Sequence, residues 1–184
     1  MTKRNRPLDR AFYARDPRLV APGLLGAMLA HGRAVGKITE TEAYLAADDP
    51  AAHAYRGRTK RTEVLFGSPG HAYVYRTRQH HCLNVVVQEE GVPGCVLVRA
   101  VEPIAGIGLM RCRRGDVPDS RLADGPGKLC QALAIDMRQY GEDLCGEGTV
   151  TIFAGEGKPS EILTTPRIGI SRAIDWPLRY LAAT

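Results

Sequence analysis

Three side chains able to take part in a hydrolysis lie close together in residues 41–53. Glu42 supplies a carboxylate, Tyr44 a phenol and His53 an imidazole. Because side chains on a strand repeat every two residues, Glu42 and Tyr44 are predicted to share one side of a strand. A carboxylate beside two flat rings suits a site that holds a planar, electron-poor group such as a purine and attacks beside it with water. The same residues could equally be the solvent face of a strand followed by a loop.

Basic residues cluster at three places in the chain. Lys and Arg total 25 against 20 Asp and Glu, which gives a net charge of +5. This mild excess permits nucleic-acid binding but does not require it. Clusters of basic residues can contact phosphates, and solvated loops can also have this composition. The clusters lie at residues 3–15, at Arg56, Arg58, Lys60 and Arg61, and at Arg111, Arg113 and Arg114.

The composition argues against several classes of protein. The five cysteines are odd in number and form no CxxC pair, so we interpret them as small buried hydrophobes in a reducing compartment rather than zinc ligands. The basic N-terminus is not followed by the apolar run of a signal peptide, and no stretch approaches the ~20 apolar residues of a membrane span. Neither GxGxxG nor a GxxxxGKS/T motif occurs. We therefore expect a cytoplasmic protein without metal, cofactor or membrane contact.

Short strands joined mostly by hairpins are predicted to position the reactive residues. A helix should begin at Asp16 and Pro17, where a carboxylate can cap the first turn, and continue to Gly32, although Pro22 and Gly23 interrupt the pattern. This arrangement indicates one α+β domain over residues 1–184, built on a curved, largely antiparallel sheet flanked by helices, with a flexible basic arm at 1–7. Strands are predicted at 33–44, 72–75, 82–88, 95–102, 149–153, 167–170 and 179–181, helices near 106–114 and 126–137, and a long polar loop at 46–70.

Six segments in a fixed order make the strongest signal in the chain. They are ITETEAYLAADDPAAHAYRGRT at 38–59, FGSPGHAYVY at 66–75, HHCLNVV at 80–86, CVLVRAVEP at 95–103, DGPGKLCQALAID at 124–136 and RIGISRAIDWPLRY at 167–180. One such motif alone would carry no weight. Together, along nearly the whole chain, they resemble the alkyladenine (3-methyladenine) DNA glycosylase family.

The resemblance implies an enzyme of base-excision repair that takes alkylated or deaminated purines from double-stranded DNA. By similarity, Glu42 is the carboxylate that activates water for attack on the anomeric carbon, and Arg99 helps to hold that water. The other implied roles are a sandwich of the flipped base by Tyr44, His53 and Tyr75, a pocket floor at Asn84 that obstructs guanine, pocket backbone near Ile170 and Ser171, and a phosphate contact at Lys128.

These residue types suit the chemistry of a base that has left the duplex. Flipping a nucleotide out of the stack costs roughly a few kcal/mol, and stacking on aromatic rings recovers ~1–3 kcal/mol per base. A cationic base is also attracted to tyrosine faces and weakens its own glycosidic bond. One carboxylate can deprotonate water and stabilise the cationic sugar. No lysine lies near the motif residues assigned to water activation and base stacking, so no Schiff base and no lyase activity are expected.

The chain departs from the family in the turn at residues 76–79. Family members usually have a tyrosine there that inserts into the duplex, whereas this turn reads Arg-Thr-Arg-Gln and is one residue shorter. Arg78 or Gln79 could fill the gap with a guanidinium or amide plane, which predicts salt-sensitive binding and weak capture of stably paired lesions such as hypoxanthine. Lys60 stands where a proline is common, and an extended N-terminal tail is missing, so function is expected to reside in the compact domain. The predicted DNA contacts are Arg56, Arg58, Thr77, Arg78, Gln79 and Lys128.

The sequence leaves other interpretations of the chain open. The chain could be a non-catalytic binding domain for damaged or distorted duplex DNA, although binding alone does not require Glu42. It could also be a hydrolase of free nucleosides or RNA. Arg99 could pair with an acid such as Glu102, Asn84 could bond to backbone, His53 could bridge its loop, and Tyr75 could fill the core. A monomer is expected, because a symmetric partner would hinder access to a continuous duplex.

Overall fold

The computed structural model describes residues 6–46, 48–77 and 79–183 of the chain. Arg78, one of the two residues expected to fill the gap in the duplex, lies outside the described residues, as do residues 1–5 of the expected basic arm. Of that arm, Pro7 forms an isolated antiparallel bridge with Phe153. The next residue, Leu8, donates its N–H to the Ile152 carbonyl at 2.8 Å. The chain is therefore attached to the sheet from residue 7 onward.

Eight strands of the described chain form one sheet in which every neighbouring pair is antiparallel. The strand order is β3-β4-β5-β2-β1-β6, and β8 pairs with both β2 and β7. Together with the helices outside the sheet, this confirms the predicted α+β class. The strands are β1 Met28–His31, β2 Ala34–Tyr44, β3 Ala72–Arg76, β4 His81–Val87, β5 Gly94–Ala105, β6 Val150–Phe153, β7 Ile162–Thr165 and β8 Arg179–Ala182.

Four α-helices are described: α1 Arg10–Tyr13, α2 Pro17–Gly23, α3 Ile107–Arg114 and α4 Pro126–Leu133. Helix α2 begins as predicted, since the Asp16 carboxylate accepts the Arg18 N–H at 2.8 Å. Its predicted continuation to Gly32 is wrong. The helix ends at Gly23, and strand β1 follows because it gains ladder hydrogen bonds from β2 on one side and β6 on the other.

Two other predicted boundaries are corrected by the structure. The strand expected at 167–170 is absent, and the strand of this region is β7, five residues earlier. Gly169 has φ +77°, which breaks an extended ladder, and the Arg167 side chain turns inward to a buried partner. Helix α4 ends at Leu133 rather than 137, because Ala134 adopts a left-handed conformation.

The two faces of the sheet have different coverings. Alternate side chains of β3, β4 and β5, such as Val74, Leu83 and Val98, belong to the main core that includes residues of α2, α3 and α4. The opposite face carries Tyr73 and Cys95 in a smaller cluster. This second face is covered by the loop at 45–71, which contains two 3-10 turns, His53–Arg56 and Glu63–Phe66. The predicted long loop is thus one wall of a cavity.

Three register shifts distort the ladder between β2 and β5, and two of them are adjacent bulges on either side of Glu40. Thr41 pairs with Val98, but Glu40 pairs with Ala100, so Arg99 is an extra residue on β5 without an opposite partner. The next shift leaves Thr39 extra on β2. Bulges bend a strand and re-aim the side chain of the extra residue, and they are common beside active sites. Here the re-aimed side chain is that of Arg99.

Candidate active site

Glu42 lies on the same side of β2 as Tyr44 and has no exposed surface. Its Oε2 accepts the Tyr44 hydroxyl at 2.9 Å, as expected for two residues on one side of a strand. Its Oε1 accepts the backbone N–H of Ile168 at 2.8 Å and lies 3.3 Å from Arg99 Nη1. Both carboxylate oxygens are therefore held by donors from three different parts of the chain. One acceptor position on Oε2 is left without a partner among the described residues.

Arg99 joins two carboxylates of β2. Its Nε donates to Glu40 Oε1 at 2.8 Å, while Nη1 faces Glu42. Glu40 also accepts from Arg179 on the neighbouring strand β8. The sequence alternative paired Arg99 with an acid such as Glu102; the acid is Glu40, whereas Glu102 pairs with Lys37. Glu40 therefore anchors the Nε side of the Arg99 guanidinium. The Nη1 side is directed to Glu42, and Arg99 lines the cavity.

A cavity of about 690 Å³ opens over this face of the sheet, within the size range of small-molecule sites. Tyr44, His53 and Tyr75, the three rings singled out from the sequence, all line it. The His53 and Tyr75 ring centroids are 4.6 Å apart with an edge-on geometry. His53 Nδ1 lies 2.8 Å from the hydroxyl of Tyr73. The aromatic residues brought together by the fold form a slot of the kind that holds a flat base.

The titratable groups of the slot are neutral at physiological pH. Burial, together with the charge of Glu42, raises the pKa of Tyr44 far above its ordinary value, and burial raises the pKa of Tyr75 likewise. Desolvation lowers the pKa of His53 to about 4, and the nearby charge of Arg61 acts in the same direction. A neutral imidazole and two neutral phenols do not repel a cationic base.

Asn84 is buried on β4 and also lines the cavity. Its Nδ2 donates to the Tyr73 carbonyl at 3.1 Å, and its Oδ1 lies 3.9 Å from Cys95 Sγ. The backbone bond considered from the sequence is therefore present, and it fixes the amide while the side chain still faces the cavity. Ile170 and Ser171 contribute to the opposite wall, in the segment between β7 and β8.

The sequence-predicted DNA contacts are only partly brought to the cavity. Arg56 and Thr77 line it, and Thr77 Oγ1 closes the β3–β4 turn by donating to the His80 carbonyl at 3.0 Å. Arg58 instead lies over the Phe66 ring at 5.2 Å. The remaining described contacts lie outside the cavity lining: Gln79 is exposed in the turn, and Lys128 pairs with Asp124 at 2.8 Å in the first turn of α4.

Sequence reasoning missed a buried ion pair behind the cavity wall. Arg167 and Asp49 have no exposed side-chain surface and form a two-point contact, Nη2–Oδ1 at 2.9 Å and Nη1–Oδ2 at 2.5 Å. It also missed the Ile168 N–H that binds Glu42. The signal available was a charged residue opening the apolar RIGI motif and a second acid in the ADDP loop. Neither indicates a partner so distant in sequence.

No group of three or more His, Cys, Asp and Glu side chains in the described residues is arranged to hold a metal ion. No described helix has the length and apolar character to cross a membrane.

Comparison with known proteins adds independent information. Residues 11–184 match the family model of methylpurine-DNA glycosylase. A protein of Methanoculleus marisnigri that carries the name 3-methyladenine DNA glycosylase is 49% identical over 181 residues, which cover 94% of this chain and 93% of that protein. Proteins of the same name from Carboxydothermus hydrogenoformans (49% over 179 residues; 94% and 93% covered) and Koribacter versatilis (46% over 186 residues; 96% and 90% covered) are similar throughout.

The resemblance read from six short motifs thus extends over almost the full chain, and the cavity lies where those motifs meet. Because the family model and the relatives both cover nearly all of the described fold, the chain belongs to the methylpurine-DNA glycosylase family, the DNA repair hydrolases that cleave N-glycosyl bonds of damaged bases.

Proposed function

We propose that the protein removes alkylated purines from duplex DNA by flipping the nucleotide into the cavity and hydrolysing its N-glycosidic bond with water activated by Glu42. The observation that carries this proposal is the buried Glu42 carboxylate, held by the Tyr44 hydroxyl, the Ile168 N–H and Arg99, three residues that line the 690 Å³ cavity. A structural role alone would not require a carboxylate at this place.

The base is proposed to lie among Tyr44, His53 and Tyr75. Stacking on these rings offsets the free energy of leaving the duplex, at ~1–3 kcal/mol per stacked base. Asn84 at the cavity floor would face the edge of the purine, where an exocyclic amine of guanine would compete for space. The held orientation of its amide makes this edge contact selective.

Hydrolysis requires one proton transfer at the sugar. Water forms a bond to C1′ while the C1′–N bond breaks and its electron pair leaves with the base. The proton of the water passes to Glu42, and the products are the free base and a sugar hydroxyl. Glu42 has no exposed surface, so the water must reach the open acceptor position of Oε2 beside the Tyr44 hydroxyl, while Arg99 holds the other carboxylate oxygen.

The lack of a proton donor for the leaving base favours lesions that carry their own positive charge. A cationic base such as 3-methyladenine or 7-methylguanine leaves as a neutral molecule and needs no added proton. A neutral lesion such as hypoxanthine or ethenoadenine needs an acid, but His53, with a pKa lowered to about 4, is unprotonated at neutral pH, and the phenols of Tyr44 and Tyr75 have raised pKa values. We therefore propose that cationic purines are the main substrates.

We further propose that the enzyme is monofunctional. Strand cleavage by elimination needs an amine that forms a Schiff base with C1′. No lysine is among the described residues that line the cavity. Base release should therefore leave an intact abasic strand, which breaks only after alkali treatment and gives no adduct with borohydride.

The central test is release of base from methylated duplex DNA by the wild type and by Glu42→Gln. The substitution keeps the shape of the side chain but removes the base for water, so the single-turnover rate should fall by roughly 10²–10⁴-fold. Glu89→Gln, an exposed residue outside the cavity, is the matched control and should retain the wild-type rate.

The same experiment separates the other functions. Tight binding of damaged duplex with no release by the wild type would identify a binding domain. Release from free nucleosides or RNA at the same rate as from duplex DNA would identify a hydrolase of a different substrate. Equal release by Glu42→Gln and the wild type would contradict the proposed mechanism.

A further inference from the structure

The buried pair Asp49–Arg167 has no part in the proposed hydrolysis, yet three parts of the cavity wall meet at it. Asp49 lies in the loop after β2, and Arg167 lies in the segment after β7. Both side chains have no exposed surface. The planar guanidinium meets the carboxylate at two points, which fixes both the distance and the relative orientation of the two groups.

Asp49 holds the first part, the loop that leads to His53. Besides the two contacts with Arg167, its carboxylate accepts the N–H of Leu45 at 3.1 Å and the N–H of Ala51 at 3.0 Å. These bonds close the turn between β2 and the His53–Arg56 helical turn. The position of the imidazole in the cavity therefore depends on this carboxylate.

Arg167 holds the other two parts. Its Nη1 donates to the Ala43 carbonyl at 3.0 Å, and its Cζ lies 4.7 Å from the centroid of the Tyr44 ring. Arg167 does not line the cavity, whereas Tyr44 does, so the guanidinium covers the face of the ring turned away from the cavity. The next residue, Ile168, donates its N–H to Glu42.

A buried ion pair is weak evidence of a contribution to stability, because apolar residues of the same volume often hold a core equally well. A two-point charged contact instead fixes the distance and the relative orientation of the two side chains. We propose that Asp49 and Arg167 are positioning residues for base excision: the pair holds Tyr44 and the Ile168 N–H against Glu42, and Asp49 neutralises the guanidinium so that a cationic base can lie on the other face of Tyr44. This inference rests on the proposed function of the cavity.

The positive charge of Arg167 matters because a base stacked on Tyr44 would lie close to it. The guanidinium lies 4.7 Å behind the Tyr44 ring, and a stacked base would lie about 3.5 Å in front of it. Two positive charges about 8 Å apart in a partly buried site repel each other enough to change an affinity by roughly tenfold. The neutralising carboxylate of Asp49 removes this repulsion. A neutral base would not be affected by its loss.

The test uses two variants of the pair and two matched controls. Asp49→Asn removes the negative charge with the same shape, and Arg167→Lys keeps both charges but loses the two-point contact. The controls are Asp119→Asn and Arg111→Lys, because Arg111 and Asp119 form an exposed two-point pair, through Nε and Nη2, outside the cavity.

Two measurements are made on each protein. One is the affinity for duplexes that contain 2′-fluoro-7-methyldeoxyguanosine, which is cationic, or 2′-fluorodeoxyinosine, which is neutral; the fluorine prevents cleavage of either. The ratio of the two affinities, taken on one preparation, does not depend on the fraction of the protein that folds. The other is the single-turnover rate of 7-methylguanine release with enzyme in excess.

We expect Asp49→Asn to lower the ratio of cationic to neutral affinity by roughly tenfold. Arg167→Lys should leave that ratio unchanged but slow base release by up to about 100-fold, because the Ile168 N–H and Tyr44 ring move relative to Glu42. Both controls should behave as the wild type. An unchanged ratio in Asp49→Asn, including one in which both affinities fall equally, would overturn the inference. A wild-type release rate in Arg167→Lys would overturn it as well. Failure of the wild type itself to release base would instead contradict the proposed function.

Discussion

At the scale of single residues, His53 shows how an imidazole can form a cavity wall without carrying charge. Its ring meets the Tyr75 ring edge-on, and its Nδ1 is 2.8 Å from the Tyr73 hydroxyl. Desolvation and the charge of Arg61 lower its pKa to about 4. The neutral ring can stack on a cationic purine without repulsion, and it keeps this property throughout the physiological pH range.

The lowered pKa of His53 predicts a pH dependence of stability. Between pH 4 and 6.5 the unfolded chain binds a proton at this residue that the folded protein does not, so the free energy of unfolding decreases as the pH falls through this window. His53→Gln should remove this contribution, and the thermal midpoint should fall less between pH 6.5 and 4 than that of the wild type. His31→Gln on β1 is the control, and an unaltered pH slope in His53→Gln would contradict the prediction.

At the scale of elements, helix α4 and the β3–β4 turn share one close contact. Gly127 is the second residue of α4, and a Cβ there would lie 2.5 Å from Cγ and Cδ2 of the His80 ring. His80 lines the cavity, and its carbonyl accepts both the hydroxyl and the N–H of Thr77. The missing side chain on the helix therefore allows the turn to approach the cavity mouth.

Gly127→Ala should displace His80 and the turn, which would reduce base release and weaken duplex binding. The matched control is Gly108→Ala, at the same second position of α3, where a Cβ meets nothing within 4 Å. That control should keep full activity and gain about 0.5 kcal/mol of stability from the better helix former. Thermal unfolding and single-turnover release measure both effects. Equal activity of the two variants would show that the turn does not need its contact with α4.

At the scale of the whole molecule, charge is concentrated around the cavity. Arg56, Arg61, Arg99 and Arg172 line it, and no carboxylate does so among the described residues. Tyr55, next to Arg56, also lines the cavity and is 44% exposed, and it is the only exposed Phe, Tyr or Trp side chain in the described part of the chain. An exposed ring beside an arginine is typical of a surface that stacks on nucleic-acid bases.

Tyr55 should therefore contact the DNA next to the cavity mouth. Tyr55→Ala should weaken binding to lesion-containing duplex by roughly tenfold, the equivalent of ~1–3 kcal/mol of stacking, and Tyr55→Phe should restore it because the ring is retained. A 2-aminopurine placed beside the lesion should report the contact by fluorescence. Leu19→Ala, which removes a 59% exposed apolar side chain on α2, is the control. Full binding by Tyr55→Ala would exclude the contact.

Arg56 should act through charge alone. Arg56→Ala should reduce the slope of log affinity against log salt by about one, the change expected for the loss of one phosphate contact. Arg33→Ala, an exposed arginine of the β1–β2 turn outside the cavity lining, should leave the slope unchanged. A slope that Arg56→Ala does not alter would place the phosphate backbone elsewhere.

Local patterns in the sequence were sufficient to predict most strands and to single out candidate site residues that lie close together in the chain. Alternation and hairpin signals predicted β2 to β5 within a few residues, and the motif of residues 41–53 identified Glu42, Tyr44 and His53 together. These features depend on neighbours in sequence, where side-chain period and turn chemistry apply directly. The same reasoning failed where the local structure depends on partners that are distant in the sequence. Strand β1 was predicted as helix because its pattern is helical, but its ladder partners are β2 and β6.

The sequence by itself determined the family, the sheet-based fold class and the identity of the candidate catalytic carboxylate. Only the tertiary structure decided how that carboxylate is held: by the Ile168 N–H, 126 residues away along the chain, and by an Arg99 re-aimed by a bulge. It alone paired Asp49 with Arg167, 118 residues apart. The reason is physical. A buried charge needs a partner, but any distant group of opposite charge can satisfy it, so the choice is made when the chain folds.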